Sequence, residues 1–365
     1  MTDATRYCPL PSPFRMRRGG QLHEAIVAFE TWGALAAARD NAVLILTGMS
    51  PSAHAATHPN DTAPGWWEDI VGPGKPIDTD RWFVICVNSL GSCRGSTGAA
   101  STDPATGHTY RLGFPDLTLE DVALAAHEVV SSLGIKRLRC LIGPSMGGMS
   151  ALAYALNIDD AADNLMLLST APHSLPFSIA IRSLQRELIR SDPDWDEGRY
   201  DGNRWPVAGM MLARKLGMTT YRSAREWRQR FARTRVPDSE RDPKPFGPEF
   251  AVESYLAHQA ERFVTGFDPN CYLYLSRAMD WFDVADYGGT VAAGLSRIRA
   301  RSAMVIGVET DLLFPLEQQE EIAEGLRDGG IPTQFVALPS IQGHDAFLVD
   351  TQRFGKAIAG YMVGI

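Results

Sequence analysis

Short apolar runs bounded by turn residues recur along the chain. They fall at 42–47 (AVLILT), 83–88 (FVICVN), 138–142 (LRCLI), 164–169 (NLMLLS), 303–308 (AMVIGV) and 334–338 (QFVAL). Runs of that length, without alternation, predict strands buried on both faces. Between several of them the spacing turns helical, notably over 118–133 (TLEDVALAAHEVVSSL) and 147–157. Alternating strand and helix predicts an α/β fold with a doubly wound, mostly parallel sheet covered on both faces. From about 173 to 296 the strand-like runs largely vanish, and amphipathic helical spacing takes over in SIAIRSLQRELI, AGMMLARKLG, SAREWRQRFAR and ESYLAHQAERF. The expected organisation is a core made of 1–172 and 297–365, with 173–296 inserted as a helical lid. Within that insertion 235–249 (RVPDSERDPKPFGPE) is rich in proline and charge, which predicts an exposed loop able to gate access.

Composition narrows the class. The 365 residues are 45% hydrophobic and 21% charged, the balance of an ordinary globular enzyme with one large core. A net charge of −8 argues against a sequence-independent grip on nucleic acid, which needs a basic surface to displace counterions. Five scattered cysteines without a CxxC pair suit reduced thiols and a cytoplasmic location. The N-terminal stretch lacks the basic start and apolar run of a secretory signal, and no apolar stretch is long enough to span a membrane.

The strongest chemical signal is Gly143-Pro144-Ser145-Met146-Gly147, a G-x-S-x-G between the strand LRCLI and the helix-compatible run GGMSALAYAL. That context predicts a tight strand-to-helix turn that raises the serine hydroxyl above the sheet. A serine needs a base, and the base a carboxylate, expected in the chain order Ser, Asp/Glu, His. Asp311 follows the strand AMVIGV, and His344 follows the next strand, so both stand at strand ends. Glu309 and Asp345 compete with Asp311 for the acid's role. Two backbone amides should stabilise an oxyanion, one from Met146 and one from the loop after AVLILT, at Thr47 or its neighbour Gly48. His54 and His58 in that loop lack the carboxylate or thiol partners of a metal site, and no metal is expected.

Seven colinear blocks extend the reading over nearly the whole chain: NSLGSCRGSTGAAS (88–101), FPDLTLEDV (114–122), GPSMGGM (143–149), DPDWDEGRY (192–200), ARKLGMTTYRS (213–223), ETDLLFPLEQQ (309–319) and GHDAFLVD (343–350). With them the sequence resembles the homoserine O-acetyltransferase family of the α/β-hydrolase superfamily. The resemblance implies an α/β-hydrolase fold and transfer of an acyl group from acyl-CoA to an amino-acid hydroxyl, by a ping-pong reaction. It places nucleophile, acid and base on Ser145, Asp311 and His344. It also implies that Arg214 and Asp345 hold the carboxylate and ammonium of the acceptor, the plainer alternatives being a surface helix charge for Arg214 and a local backbone cap for Asp345. Two departures from the acetyltransferase pattern resemble the serine O-succinyltransferase branch. Arg182 stands where an asparagine is usual, which favours a donor ending in a carboxylate, such as succinyl. The loop Ser50-Pro51-Ser52-Ala53 and the block GSCRGST suit serine over homoserine as acceptor. The implied reaction needs acyl-CoA as cosubstrate, no permanently bound cofactor and only small-molecule partners, and the family is commonly homodimeric. Homoserine O-acetyl or O-succinyl transfer, esterase or thioesterase activity, and a non-catalytic binding role are the alternatives.

Overall fold

The computed structural model describes residues 4–241 and 245–365. Eight strands form one sheet: β1 (Arg6–Pro9), β2 (Ile26–Trp32), β3 (Ala42–Leu46), β4 (Phe83–Val87), β5 (Leu138–Pro144), β6 (Ala162–Leu168), β7 (Ser302–Val308) and β8 (Thr333–Leu338). Their order is β1-β2-β4-β3-β5-β6-β7-β8. The first two pairings are antiparallel and the remaining five parallel. The six apolar runs of the sequence are the six strands β3 to β8. The pattern missed β1 and β2. Most of β1 is exposed, and β2 carries Glu30 in mid-strand, a carboxylate that is nonetheless buried.

Helices cover both faces, as strands buried on both sides require. On one side lie α1 (Leu119–Ser132), α2 (Met146–Asn157) and α9 (Leu316–Asp328), packed through Val122, Leu152 and Ile322. On the other, α10 (Thr351–Val363) packs Phe354 and Ile358 against Trp67, Ile70 and the apolar side chains of β3, β4 and β7. The start of α1 is fixed by a reciprocal cap: Asp121 N donates to Thr118 Oγ1 at 3.3 Å, and Thr118 N donates to Asp121 Oδ2 at 2.9 Å.

Between β6 and β7 the chain runs through α3 (Pro176–Arg190), α4 (Val207–Tyr221), α5 (Ala224–Phe231), α6 (Ala251–Val264), α7 (Pro269–Trp281) and the short α8 (Val291–Leu295). Helices α3, α4 and α7 contribute walls to a cavity over the carboxyl ends of the parallel strands. The base of the charged loop expected at 235–249 is held together, because Val236 N donates to Glu249 O and Ala251 N to Thr234 O, both at 2.9 Å. Residues 242–244 of that loop lie outside the described residues. No described helix is long and apolar enough to cross a membrane, and all five cysteines are free thiols.

The junction of β5 and α2 is packed at backbone distance. A Cβ added to Gly143 would lie 2.2 Å from Gly147 O, one on Gly147 2.0 Å from Leu46 O, and one on Gly148 2.5 Å from Thr170 Cβ. Backbone cannot yield as a flexible side chain can. Gly147→Ala is therefore expected to lower unfolding free energy by about 1–3 kcal/mol, measured by urea denaturation; an unchanged midpoint would show that the junction has slack.

Candidate active site

Ser145 sits between the last residue of β5 and the first of α2 with φ 55° and ψ −127°. A non-glycine residue there stores about 1–3 kcal/mol of backbone strain. Neighbours hold it in place: Ser145 N donates to Leu168 O at 2.9 Å, and Thr170 Oγ1 donates to Ser145 O at 2.7 Å.

His344 lies past β8 in a turn whose preceding residue, Gly343, has φ 64° and no room for a side chain, since a Cβ would lie 2.8 Å from Tyr221 O. Its Nε2 is 2.8 Å from Ser145 Oγ, and its Nδ1 is 2.8 Å from Asp311 Oδ2. The other oxygen of Asp311 accepts the backbone N–H groups of Leu313 and Phe314, each at 2.9 Å, which fixes the carboxylate's orientation. Of the rival carboxylates, Glu309 is exposed, and Asp345 is engaged by Arg222 at 3.0 Å. The ring of His344 packs against Phe314 and Phe347. Burial pulls the imidazole's pKa down, but the charge and hydrogen bond of Asp311, with the charge of Asp345, outweigh it, so the net shift is upward from 6.5. This chain of hydrogen bonds is the arrangement by which a serine hydroxyl is deprotonated as it attacks a carbonyl.

The amide of Met146 is among the first four of α2, which have no partner within the helix. Opposite it, the cavity wall is formed by Gly48 and Met49. Thr47 is buried behind them, with Oγ1 3.4 Å from Ser89 Oγ. Of the loop singled out by sequence, Ser50 and Pro51 line the cavity, whereas Ser52 and Ala53 do not. Ser52 instead accepts a hydrogen bond from Trp66 Nε1 at 3.1 Å, and Ala53 is buried. The turn after Pro51 takes the chain away from the cavity, so these two residues shape the loop from behind.

His54 holds the loop in place. Its Nδ1 is 2.8 Å from Glu30 Oε2 and its Nε2 2.8 Å from Ala63 O. Both partners offer acceptor oxygens, which favours the doubly protonated ring. Burial opposes that charge, but the Ala63 carbonyl and Glu30 override it and raise its pKa.

Arg182, Arg214 and Asp345 all face the cavity. Arg182 is buried, with Nε 2.6 Å from Asp280 Oδ1 and Nη2 donating to Ser174 Oγ at 2.5 Å. Its Nη1 has no hydrogen-bond partner among the described residues. Asp280, on α7, also lies 2.7 Å from Arg186 Nη1, so one carboxylate serves two guanidinium groups. Arg214 has its Nε buried without a partner among the described residues, and its guanidinium stacks over the ring of Phe263 at 4.4 Å. Burial pushes the carboxyl of Asp345 up against the opposing pull of Arg222, His344 and Arg214. Sequence reasoning missed Asp280, Arg222, Tyr221, Gln185 and Trp66. Only Arg222 carried a signal, being a charge inside the ARKLGMTTYRS block. Among the described residues, no group of three or more His, Cys, Asp or Glu side chains is arranged to hold a metal.

A family model described as alpha/beta hydrolase fold matches residues 41–351. The chain belongs to the α/β-hydrolase family. Within it, the serine O-succinyltransferase of Frateuria aurantia is 64% identical over 99% of both chains. Among solved structures, a homoserine O-acetyltransferase from Bacillus anthracis superposes with a TM-score of 0.88 at 27% identity, covering 98% of this chain and 96% of that one. Esterase E22 does so with a TM-score of 0.88 at 28% identity, covering 99% and 100%. The acyltransferase resemblance expected from the seven sequence blocks is thus met by the O-succinyltransferase and O-acetyltransferase relatives.

Labelling of this α/β-hydrolase by a serine-directed fluorophosphonate requires neutral His344. The labelling rate of the wild type should therefore rise with pH through a midpoint above 6.5, and Ser145→Ala should not label. Asp311→Asn removes the charge that holds the imidazole's pKa up. It should lower the midpoint and slow labelling by roughly 10⁴-fold; a midpoint unmoved by that change would overturn the assignment of Asp311.

Proposed function

We propose that this α/β-hydrolase is an acyltransferase that moves a succinyl group from succinyl-CoA to the hydroxyl of L-serine, giving O-succinyl-L-serine and free coenzyme A. The observation that carries this reading is the 64% identity, end to end, with a relative named serine O-succinyltransferase. Arg182 supports the donor assignment. A buried guanidinium with one uncommitted N–H group at a cavity wall suits the distal carboxylate of succinyl, and an acetyl group would leave that donor unpaired.

In this mechanism His344 takes the proton of Ser145 as its oxygen attacks the thioester carbonyl. The tetrahedral oxyanion is stabilised by the amide of Met146 and by a second amide at Thr47 or Gly48. Collapse expels the coenzyme A thiolate, which receives the proton from His344. Serine then enters, its carboxylate toward Arg214 and its ammonium toward Asp345, and His344 deprotonates its hydroxyl for attack on the succinyl-enzyme; collapse breaks the ester to Ser145, whose oxygen takes the proton back from His344 as O-succinyl-L-serine leaves. Exclusion of water by the segment 173–296, which acts as a lid over the core formed by 1–172 and 297–365, favours transfer over hydrolysis. Ser50 and Pro51 narrow the acceptor side. Acyl-CoA acts as a cosubstrate, and the enzyme works in the cytoplasm as a homodimer. Exposed Phe177 and Leu184 on α3 and Val207 and Leu212 on α4 suit the subunit contact.

Hydrolysis is the second reading, favoured by the close superposition on esterase E22. Release of coenzyme A from succinyl-CoA and acetyl-CoA, each with L-serine, L-homoserine or no acceptor, separates the two. Succinyl-CoA with L-serine should turn over fastest; release undiminished without an acceptor would make the protein a thioesterase.

Two variants test the division of labour. Arg182→Leu should lower kcat/KM for succinyl-CoA by about 10- to 100-fold while changing acetyl-CoA turnover far less. Arg214→Ala should raise the KM for L-serine and leave the initial burst of coenzyme A release intact. Equal losses with both donors, or loss of the burst, would contradict these roles.

A further inference from the structure

Helix α5 carries a charge pattern that the chemistry at Ser145 leaves unused. Residues 222–236 contain six arginines and one carboxylate, Glu226, in a chain whose net charge is −8. Two of the arginines are committed: Arg222 to Asp345 and Glu226, each at 3.0 Å, and Arg235 to Glu249 at 3.1 Å. Arg225, Arg228, Arg230 and Arg233 are exposed, and among the described residues none has a carboxylate within ion-pair distance. Like charges three positions apart on a helix destabilise it. Their concentration here makes sense if an anion sits among them.

Aromatic rings accompany the charges. Trp227 and Phe231 stack with centroids 5.4 Å apart, and Tyr255 of α6 closes against the edge of Trp227. Trp227 and Phe231, with Arg228, Arg233 and Val252, line one surface groove. Arg225, one turn before Arg228 on the helix, lines a second depression with Ser340, Ile341, Gln342, Asp350 and Arg353, beside the loop of His344. Guanidinium groups bind phosphate oxygens in pairs, and an indole face or a guanidinium plane accepts a flat base.

The helix is also tied to the site. Its capping residue, Ser223, donates to Ile341 O, and the adjacent Arg222 grips Asp345 at the cavity wall. Eight helical residues extend about 12 Å from that anchor. A coenzyme A thioester has this layout, with a reactive carbonyl at one end, an uncharged pantetheine arm and an anionic purine nucleotide at the other.

We propose that the outer face of α5 is the subsite for the 3′-phosphorylated adenosine diphosphate of the donor, with Arg225, Arg228 and Arg233 on its phosphates and Trp227 against its base. This rests on the acyl-CoA donor proposed above. The test compares succinyl-CoA with succinyl-pantetheine, which has the same thioester and arm but no nucleotide. Arg225→Ala, Arg228→Ala and Arg233→Ala should each raise the KM for succinyl-CoA about two- to fivefold and the triple variant at least about tenfold. Values for succinyl-pantetheine, kcat with either donor, and the thermal midpoint should stay at wild type. Adenosine 3′,5′-bisphosphate should compete with succinyl-CoA in the wild type and lose potency in the triple variant. An unchanged KM for succinyl-CoA, or an equal rise for both donors, overturns the subsite. If the wild type uses neither donor, the acyl-CoA reading itself has failed, and loss of bisphosphate binding, titrated directly in the triple variant, would still uphold an anionic nucleotide site on α5.

Discussion

The whole site depends on how closely β5, α2 and the end of β3 approach one another. Three glycines there face backbone or a packed threonine at distances no Cβ tolerates. That closeness forces the residue between strand and helix into a strained conformation, and the strain aims a hydroxyl out of the sheet rather than into it. The same approach brings the start of α2 against Leu46 and Thr47 at the end of β3, so the turn at Ser145 and the loop that follows β3 are placed by one packing event. His344 and Asp311 then need only the ordinary precision of loops at the ends of β8 and β7.

Charge is handled differently in the core and in the inserted helices. In the core, Asp311 is fully committed, to the imidazole on one oxygen and to two backbone amides on the other. In the inserted helices the balance is left open: Asp280 is shared by two arginines, and Arg182 and Arg214 each keep a buried nitrogen without a hydrogen-bond partner among the described residues. Unpaired buried donors are costly, by about 1–3 kcal/mol each. At a cavity wall such donors are open to an incoming acceptor.

Much of this was legible in the sequence because it is local. An apolar run of five or six residues announces a buried strand, and G-x-S-x-G between such a run and a helical pattern announces the turn at Ser145. The order Ser145, Asp311, His344 follows from the topology, since each stands at a strand's end. Residues that act through distant partners were silent. Nothing in the sequence singled out Glu30, the carboxylate that holds His54, 24 positions away. Asp280 passed unnoticed, because nothing local shows that α7 lies against α3. Ser52 and Ala53 were adjacent to lining residues, and only the turn after Pro51 reveals that the chain leaves the wall there.

The pairing of β6 with β7, where Leu165 meets Ala303, is made by strands separated by roughly 130 residues of helix and loop. Loop-closure entropy grows only with the logarithm of length, so this detour costs about 2 kcal/mol more than a ten-residue connection would. The sheet is therefore nearly indifferent to what is threaded between those two strands. Arg182, Arg214, Asp280 and the arginines of α5 all lie within the detour, while Ser145, Asp311 and His344 lie outside it. Selection can rewrite, lengthen or shorten those helices, and with them one wall of the cavity, at small thermodynamic penalty, while the hydrogen-bonded chain of Ser145, His344 and Asp311 stays anchored in a ladder that does not register the change.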